Sequence, residues 1–300
     1  MKKKMLIMPA IMAFMTFVLS GCQPLMVLNP KGPNAKTLSD TIILSIIVMA
    51  FILLVVYVLL VFMLTKYRAS KQSKDYEPPH EEGSKALEIT WTVIPIVIVT
   101  VLSIVTIFTS DKVEKQQTGY GDKKPLVIYA SSSNWKWHFS YPEQGIETVN
   151  YLNIPADRPI EFRLYSFGPI TSFWIPQLAG QKYAMSNMVT KVHLAADEEG
   201  SYMGRNSNFS GEGFTQMQFE TQAMSQSDFD QWAKDVKANE PKLTKQTFNK
   251  LLDTSYVGRK SFSSTHLSFS PAPEMYMGTK SDLKSQKDKA DDMEEMNMSN

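Results

Sequence analysis

Cysteine is almost missing from this chain: one thiol, Cys22, in 300 residues. A single thiol closes no internal disulfide and cannot supply a CxxC metal pair. Histidine is also scarce, with four residues, His80, His138, His193 and His266. Lone histidines on strands are usually satisfied structural residues, so His138 and His193 make a poor ligand set. Neither sign of charge dominates, since 31 Lys and Arg face 30 Asp and Glu for a net charge of +1. Nucleic acid, which needs a basic stripe, is therefore excluded as a partner. No Ser-His-Asp, paired-acid or Cys-His constellation stands out. Long uncharged runs are lacking after residue 110. The 43% hydrophobic content is concentrated before it, so the chain is written for two solvents, lipid and water.

Lys2, Lys3 and Lys4 form a positive n-region, and Met5 to Leu19 is an apolar run too short to span a bilayer comfortably. Residues 1–21 are expected to be a signal peptide. The tetrapeptide Leu19-Ser20-Gly21-Cys22 resembles the bacterial lipoprotein box, which implies lipidation of Cys22. The other reading is a short hydrophobic anchor with an incidental cysteine. An acyl chain contributes about 0.8 kcal/mol per buried CH₂, and it would be secondary here because two spanning helices follow.

Residues 22–40 are expected outside the cell, and Thr41 to Leu64 is an uncharged run long enough for a ~30 Å hydrocarbon core. Lys66, Tyr67 and Arg68 at its exit suit an interfacial anchor. The second span, 89–108, carries Pro95. Such a proline is tolerated where neighbouring protein re-satisfies the freed carbonyl, which predicts packing against a partner. The loop 65–88 holds Lys66, Arg68, Lys71, Lys74 and Lys85 and reads as cytoplasmic. Everything from residue 109 onward is then extracytoplasmic.

From Leu126 the hydrophobic period becomes two. Strands are expected at 126–130, 135–139, 149–154 and 160–165, and shorter ones at 173–175, 191–194, 201–203 and 216–219. Tyr141-Pro142, Gly168-Pro169 and Ala179-Gly180 mark turns. Many short strands at this spacing predict an all-β sandwich or barrel over 109–225. Residues 226–267 read as a helical extension. Ser227 is placed to cap its first helix, Phe229, Trp232 and Val236 form its apolar stripe, and a second helix falls near 245–252. Residues 268–300 are Ser, Lys, Asp and Met-rich, which predicts a disordered tail.

The order of two apolar helices and a β-sandwich, with the segments Glu88-Ile89-Thr90-Trp91-Thr92-Val93-Ile94-Pro95 and Asn134-Trp135-Lys136-Trp137, resembles subunit II of the haem-copper respiratory oxidases. Thr171-Ser172-Phe173-Trp174-Ile175-Pro176 is similar to that family's segment that starts with a copper-ligating histidine. Gly200 to Met217 is similar to its copper loop. The resemblance covers most of residues 40–240. It implies a membrane protein of two transmembrane α-helices followed by an extracytoplasmic all-β cupredoxin-like sandwich.

In copper-bearing relatives two thiolates bridge two copper ions, with two histidines, a methionine sulfur and a carbonyl oxygen. The resemblance places Thr171 at the first histidine, Asn206 and Ser210 at the cysteines, Asn208 at the carbonyl donor and Phe214 at the second histidine. Only Met217 matches. Soft thiolate ligation is what such a centre requires, so no metal is expected here and Met217 is expected to pack. The aromatics Trp135 and Trp137 are expected to serve core packing or contact with subunit I.

The pattern resembles the quinol oxidase branch, as do Tyr141-Pro142-Glu143-Gln144-Gly145, Gln181-Lys182-Tyr183-Ala184-Met185 and Phe229-Asp230-Gln231-Trp232. It implies a subunit of a complex that oxidises quinol, reduces O₂ to water and translocates protons. Haems and copper would sit in subunit I, and the partners would be subunit I, smaller membrane subunits, membrane quinol through the complex, and the lipid bilayer of a bacterial cell. Glu88 would sit at the cytoplasmic mouth of a proton pathway, a functional reading that suits an ionisable group at a membrane boundary. A solvated glutamate favoured by the helix dipole is the other reading. A copper-using cytochrome c oxidase subunit is opposed by the cysteine count. A copper-free extracytoplasmic binding lipoprotein is the remaining alternative, and it would not need two spanning helices.

Overall fold

The structure, a computed structural model, describes residues 25–68, 83–121 and 123–274. Cys22, His80, the expected signal segment and residues 275–300 lie outside the described residues. Helix α1 spans Pro33–Lys66 and α2 spans Lys85–Glu114. Pro33 occupies the first helical position, where its missing N–H costs nothing. Both helices are longer than their apolar runs. The first two turns of α1, before Thr41, dock against the outer domain and bury Asn34, Ala35 and Ser39. The apolar segments of both helices are exposed along their length, the surface that lipid or partner helices must cover. Pro95 lies inside α2.

The outer domain is a sandwich of two mixed sheets. The first has the order β11-β3-β2-β1-β5-β8, built from Lys260–Phe262, Ile146–Val149, Lys136–Tyr141, Leu126–Ser133, Ile160–Ser166 and Thr190–Leu194. The second has the order β4-β10-β9-β6-β7, built from Tyr151–Pro155, Gln218–Met224, Gly200–Asn206, Thr171–Trp174 and Lys182–Ala184. The β1–β5 and β4–β10 pairs are parallel, the rest antiparallel. Alternation sends Trp137 and Phe139 of β2 inward, against Phe173 and Phe219 of the facing sheet, with the last two rings stacked at 5.5 Å. Each such fully buried ring contributes about 2–3 kcal/mol.

Three local expectations are corrected. The strand expected over 149–154 is two strands in different sheets, because Asn150 takes φ 58° between them. Asparagine tolerates that left-handed geometry, and here its Oδ1 also accepts the Trp137 N–H at 2.9 Å. Trp135 is not the first strand residue but a turn residue at φ 58°. Helix α3 (Gln226–Asn239) is capped by Ser225, whose Oγ accepts the Asp228 N–H at 3.1 Å, and Ser227 falls inside the helix.

Helix α3 places Phe229, Ala233 and Val236 in the main core. Helix α4 (Lys245–Asp253), capped by Thr244, faces the outer side of the first sheet instead. The chain continues through β11 and a 3-10 turn at His266–Ser268, and the Val189 N–H donates to the Glu274 carbonyl at 3.3 Å.

Gly32 is a point of close approach, since a Cβ there would stand 2.1 Å from the Ala195 carbonyl oxygen. Gly32→Val is expected to lower stability by about 1–3 kcal/mol through overpacking, read as a fall in the thermal unfolding midpoint of the purified chain.

Candidate functional site

The six positions singled out on the sandwich come from β6, the end of β9 and the loop that follows it. The β6–β9 pairing sets Phe173 opposite Asn206. Thr171 Oγ1 lies 2.7 Å from Ser132 Oγ, both buried. Asn206, also buried, accepts on its Oδ1 from the backbone N–H groups of Ser172 at 2.8 Å and Asn208 at 3.0 Å. Its Nδ2 donates to Ser210 Oγ at 3.0 Å. Asn208 Nδ2 donates to the Ile170 carbonyl at 2.9 Å. Phe214 packs on Phe209 with ring centroids 5.8 Å apart, and Met217 is part of the main core.

Asn206, Asn208 and Ser210 thus tie the loop to the start of β6, whereas the Thr171 hydroxyl pairs with Ser132 and Met217 belongs to the core. A binuclear copper centre needs thiolates and imidazoles. The residues present are hydroxyls, amides, a phenyl ring and one thioether, and their polar groups bond to each other, to backbone and to Ser132. They do not fit such a centre. The arrangement holds a loop; it does not offer open ligands.

Trp135 covers this loop. Its Nε1 donates to the Ser210 carbonyl at 3.0 Å, and Tyr256 from the C-terminal extension stacks on its ring at 5.9 Å. Gly213 lies under the ring, where any Cβ would fall 2.4 Å from it. A positive φ is costly for a bulky residue, and these contacts hold it in place. Trp137 is a core residue of the sandwich.

Glu88 lies in the first turn of α2 and is exposed. A carboxylate there is stabilised by the orphan N–H groups of the helix start. His193 stands on β8, at the junction with the membrane helices, where its carbonyl accepts from Asn34.

A second polar cluster was not anticipated. Lys136, His138, Ser140 and Glu147 are fully buried on the outward face of the first sheet, with Tyr165 beside them. His266, from the 3-10 turn, completes the group. The alternation of Lys136, His138 and Ser140 in β2 is that of a solvated face, so nothing local in the sequence signals that the C-terminal extension covers it.

Comparison with known proteins bears on these observations. The family described as "Cytochrome C oxidase subunit II, transmembrane domain" matches residues 29–108. A quinol oxidase subunit 2 from Bacillus cereus is 48% identical over 255 residues, covering 84% of this chain and 87% of its own. The Bacillus subtilis protein of the same name is also 48% identical, over 84% of this chain and 79% of its own. A solved periplasmic domain of subunit II of cytochrome oxidase from Bradyrhizobium japonicum covers 39% of this chain and 96% of its own, at 20% identity and a TM-score of 0.38.

Two apolar helices followed by a two-sheet sandwich define a membrane protein of the cytochrome c oxidase subunit II type. Within that class, the extent and identity of the match are decisive: the chain belongs to the quinol oxidase subunit 2 family.

Asn206→Ala would leave the buried Ser172 N–H, the Asn208 N–H and Ser210 without their partner. Each unsatisfied group costs about 1–3 kcal/mol. A loss of about 3 kcal/mol or more is expected from denaturant unfolding of the purified chain.

Proposed function

We propose that this chain is subunit II of a respiratory quinol oxidase, in which quinol oxidation drives reduction of O₂ to water and proton translocation. The subunit carries no copper, and the haems and the oxygen-reducing copper lie on subunit I together with the quinol site. The observation that carries this reading is the donor set on the sandwich. Thr171, Asn206, Ser210 and Phe214 stand where a copper centre would need soft or imidazole ligands, and their polar groups are tied up in hydrogen bonds. A water-soluble one-electron donor therefore has no copper to reduce here. A lipid-soluble donor that delivers its electrons inside the bilayer removes the need for one.

On this reading the outer domain is a structural cap over the large subunit. The exposed apolar faces of α1 and α2 take up subunit I and smaller membrane subunits, with lipid covering the remainder. Cys22 carries an acyl anchor, which supports a placement that the two helices already secure. The binding-lipoprotein alternative fits these faces poorly, because a lipid anchor alone would hold such a protein. Co-purification with a haem-bearing large subunit separates the two.

Glu88 is proposed to collect protons at the cytoplasmic boundary and pass them to subunit I. Its support is its position, an exposed carboxylate at the membrane-boundary end of α2.

The purified complex is expected to turn over with quinol and not with reduced cytochrome c; turnover with cytochrome c alone would overturn the assignment. In Glu88→Ala, turnover and proton uptake are expected to slow together while the KM for quinol stays unchanged. Unchanged rates would leave Glu88 as a dipole-stabilised surface group.

A further inference from the structure

Over β2 and β3 the outward face of the first sheet is polar in composition but buried. Register places Val149, His138, Ser131 and Tyr165 in one row across β3, β2, β1 and β5, with Glu147 and Ser140 in the next. The cover is the segment 240–274. It contributes α4, β11 and the 3-10 turn, and it rests on a small apolar cluster of its own: Leu243, Phe248, Leu251 and Phe262 around Val149. That cluster is separate from the main core, which already includes α3.

Several polar contacts cross the interface, among them Asn134 Nδ2 to the Leu252 carbonyl, Tyr151 with Ser261 and the β11–β3 ladder, and one clasp among them is fully buried. Glu147 Oε2 accepts from the His266 backbone N–H at 2.9 Å, from His266 Nδ1 at 2.7 Å and from Ser140 Oγ at 2.8 Å. An ionised carboxylate only accepts, so Nδ1 of His266 carries a proton, and its Nε2 lies 2.6 Å from the Tyr165 hydroxyl. Phe248 stacks on the imidazole at 4.5 Å with 9° between the planes.

The second histidine is placed differently. Lys136 Nζ donates to Ser133 Oγ at 3.3 Å, and that hydroxyl lies 2.9 Å from His138 Nε2. Ser133 can give its own proton to Nε2 while accepting from the ammonium, and in that arrangement His138 is neutral. Its Nδ1 is buried without a partner, 3.7 Å from the equally unpartnered Glu147 Oε1. Protonating His138 would strip Ser133 of its acceptor and add a second buried cation beside Lys136. The two imidazoles do not share an ion: their centroids are 6.4 Å apart, and among the described residues no three His, Cys, Asp or Glu side chains converge as ligands.

We propose that residues 240–274 form an acid-released cover, held on the polar sheet face by the Glu147–His266 clasp and let go when His138 takes up a proton. The sandwich stays folded on release, because its core is the opposite face of the same sheet.

The groups facing this site are few. Asp253 of α4 lies near Lys136 and offsets part of the effect of burial, which draws the lysine down to about 8. Tyr129 approaches Tyr165 edge-on at 6.4 Å, and burial holds the Tyr165 phenol protonated. Burial also lowers His138 below its ordinary value, against the pull of Glu147. Burial acts to raise Glu147, but the pull of His266 and His138 outweighs it and sets the carboxyl at about 2.

The signs follow by linkage. Both groups are depressed in the closed form, so each stabilises closure above its ordinary pKa and loses that contribution as pH falls. For His138 the loss begins below about 6.5, and for Glu147 only below about 4.5. Between pH 7.5 and 5 the change therefore comes from His138, and closure weakens as pH falls through that window.

The test is amide hydrogen exchange on the purified complex, with rates corrected for the intrinsic pH dependence of exchange. Protection across 243–269 is expected to fall by tenfold or more from pH 7.5 to 5, while β1, β2 and β5 stay protected. His138→Gln should flatten that slope, and Glu147→Gln should lower protection at every pH while keeping it. The proposal is overturned if protection of 243–269 is independent of pH, if the sandwich strands open together with the cover, or if His138→Gln retains the full slope.

Discussion

The side-chain amide of Asn34 joins the three parts of this molecule. It donates to the Val113 carbonyl, in the last turn of α2, at 3.2 Å, and to the His193 carbonyl on β8. The last carbonyls of a helix have no partner within it, so this contact satisfies one of them while fastening α1, α2 and the sandwich together. The neighbours reinforce the joint. The Ala35 N–H donates to the Leu178 carbonyl and the Lys31 N–H to the Gln177 carbonyl, while Lys31 in turn accepts from the Asp197 N–H. Lys182 on β7 pairs with Glu114 at the end of α2 at 2.6 Å. Two apolar helices alone would leave the outer domain free to tilt over the membrane. This joint fixes the sandwich relative to them, and with it the β6–β7 edge next to the loop that follows β9.

That loop keeps its shape by a different chemistry from the one the resemblance implies. Metal–thiolate bonds can pin a loop covalently, whereas here Asn206 does so with three hydrogen bonds and Trp135 closes over the backbone. A buried amide must have its donors and acceptors matched, and the backbone of β6 and of the loop supplies the match.

Much of the architecture was legible because it is written in periodicity. The uncharged runs at 41–64 and 89–108 mark the apolar lengths of the two helices, and the period-two pattern from Leu126 marks the sandwich. What escaped is what tertiary contact decides. Hydropathy ends at Thr41, but α1 begins at Pro33 because its first turns bury Asn34 and Ala35 against the sandwich. The run 149–154 alternates smoothly, and only the left-handed geometry at Asn150 divides it between sheets. Ser225 and Ser227 are equivalent as local capping signals, and the packing of Phe229 against Tyr141 selects the earlier one. The cluster on the second sheet was found only through resemblance, since Asn206 and Ser210 carry no signal of their own. The buried Glu147 and His266 lie 119 residues apart and were invisible to any window.

The first sheet shows why such a buried polar group persists. Its inner face, with Trp137, Phe139, Phe162 and Leu164, supplies the transfer free energy of the fold. Its outer face buries a lysine, a glutamate and two histidines, for which desolvation cancels most of the electrostatic gain. An apolar outer face would bind the cover more tightly, but it would be sticky whenever the cover lifted. A polar face is soluble when open and directional when closed, because Glu147, already bonded to Ser140, accepts two donors that only one seating of His266 can align. The network thus contributes register more than stability, and it divides the labour of the sheet: the inner face keeps the domain folded, and the outer face decides where, and under what charge state, residues 240–274 are held.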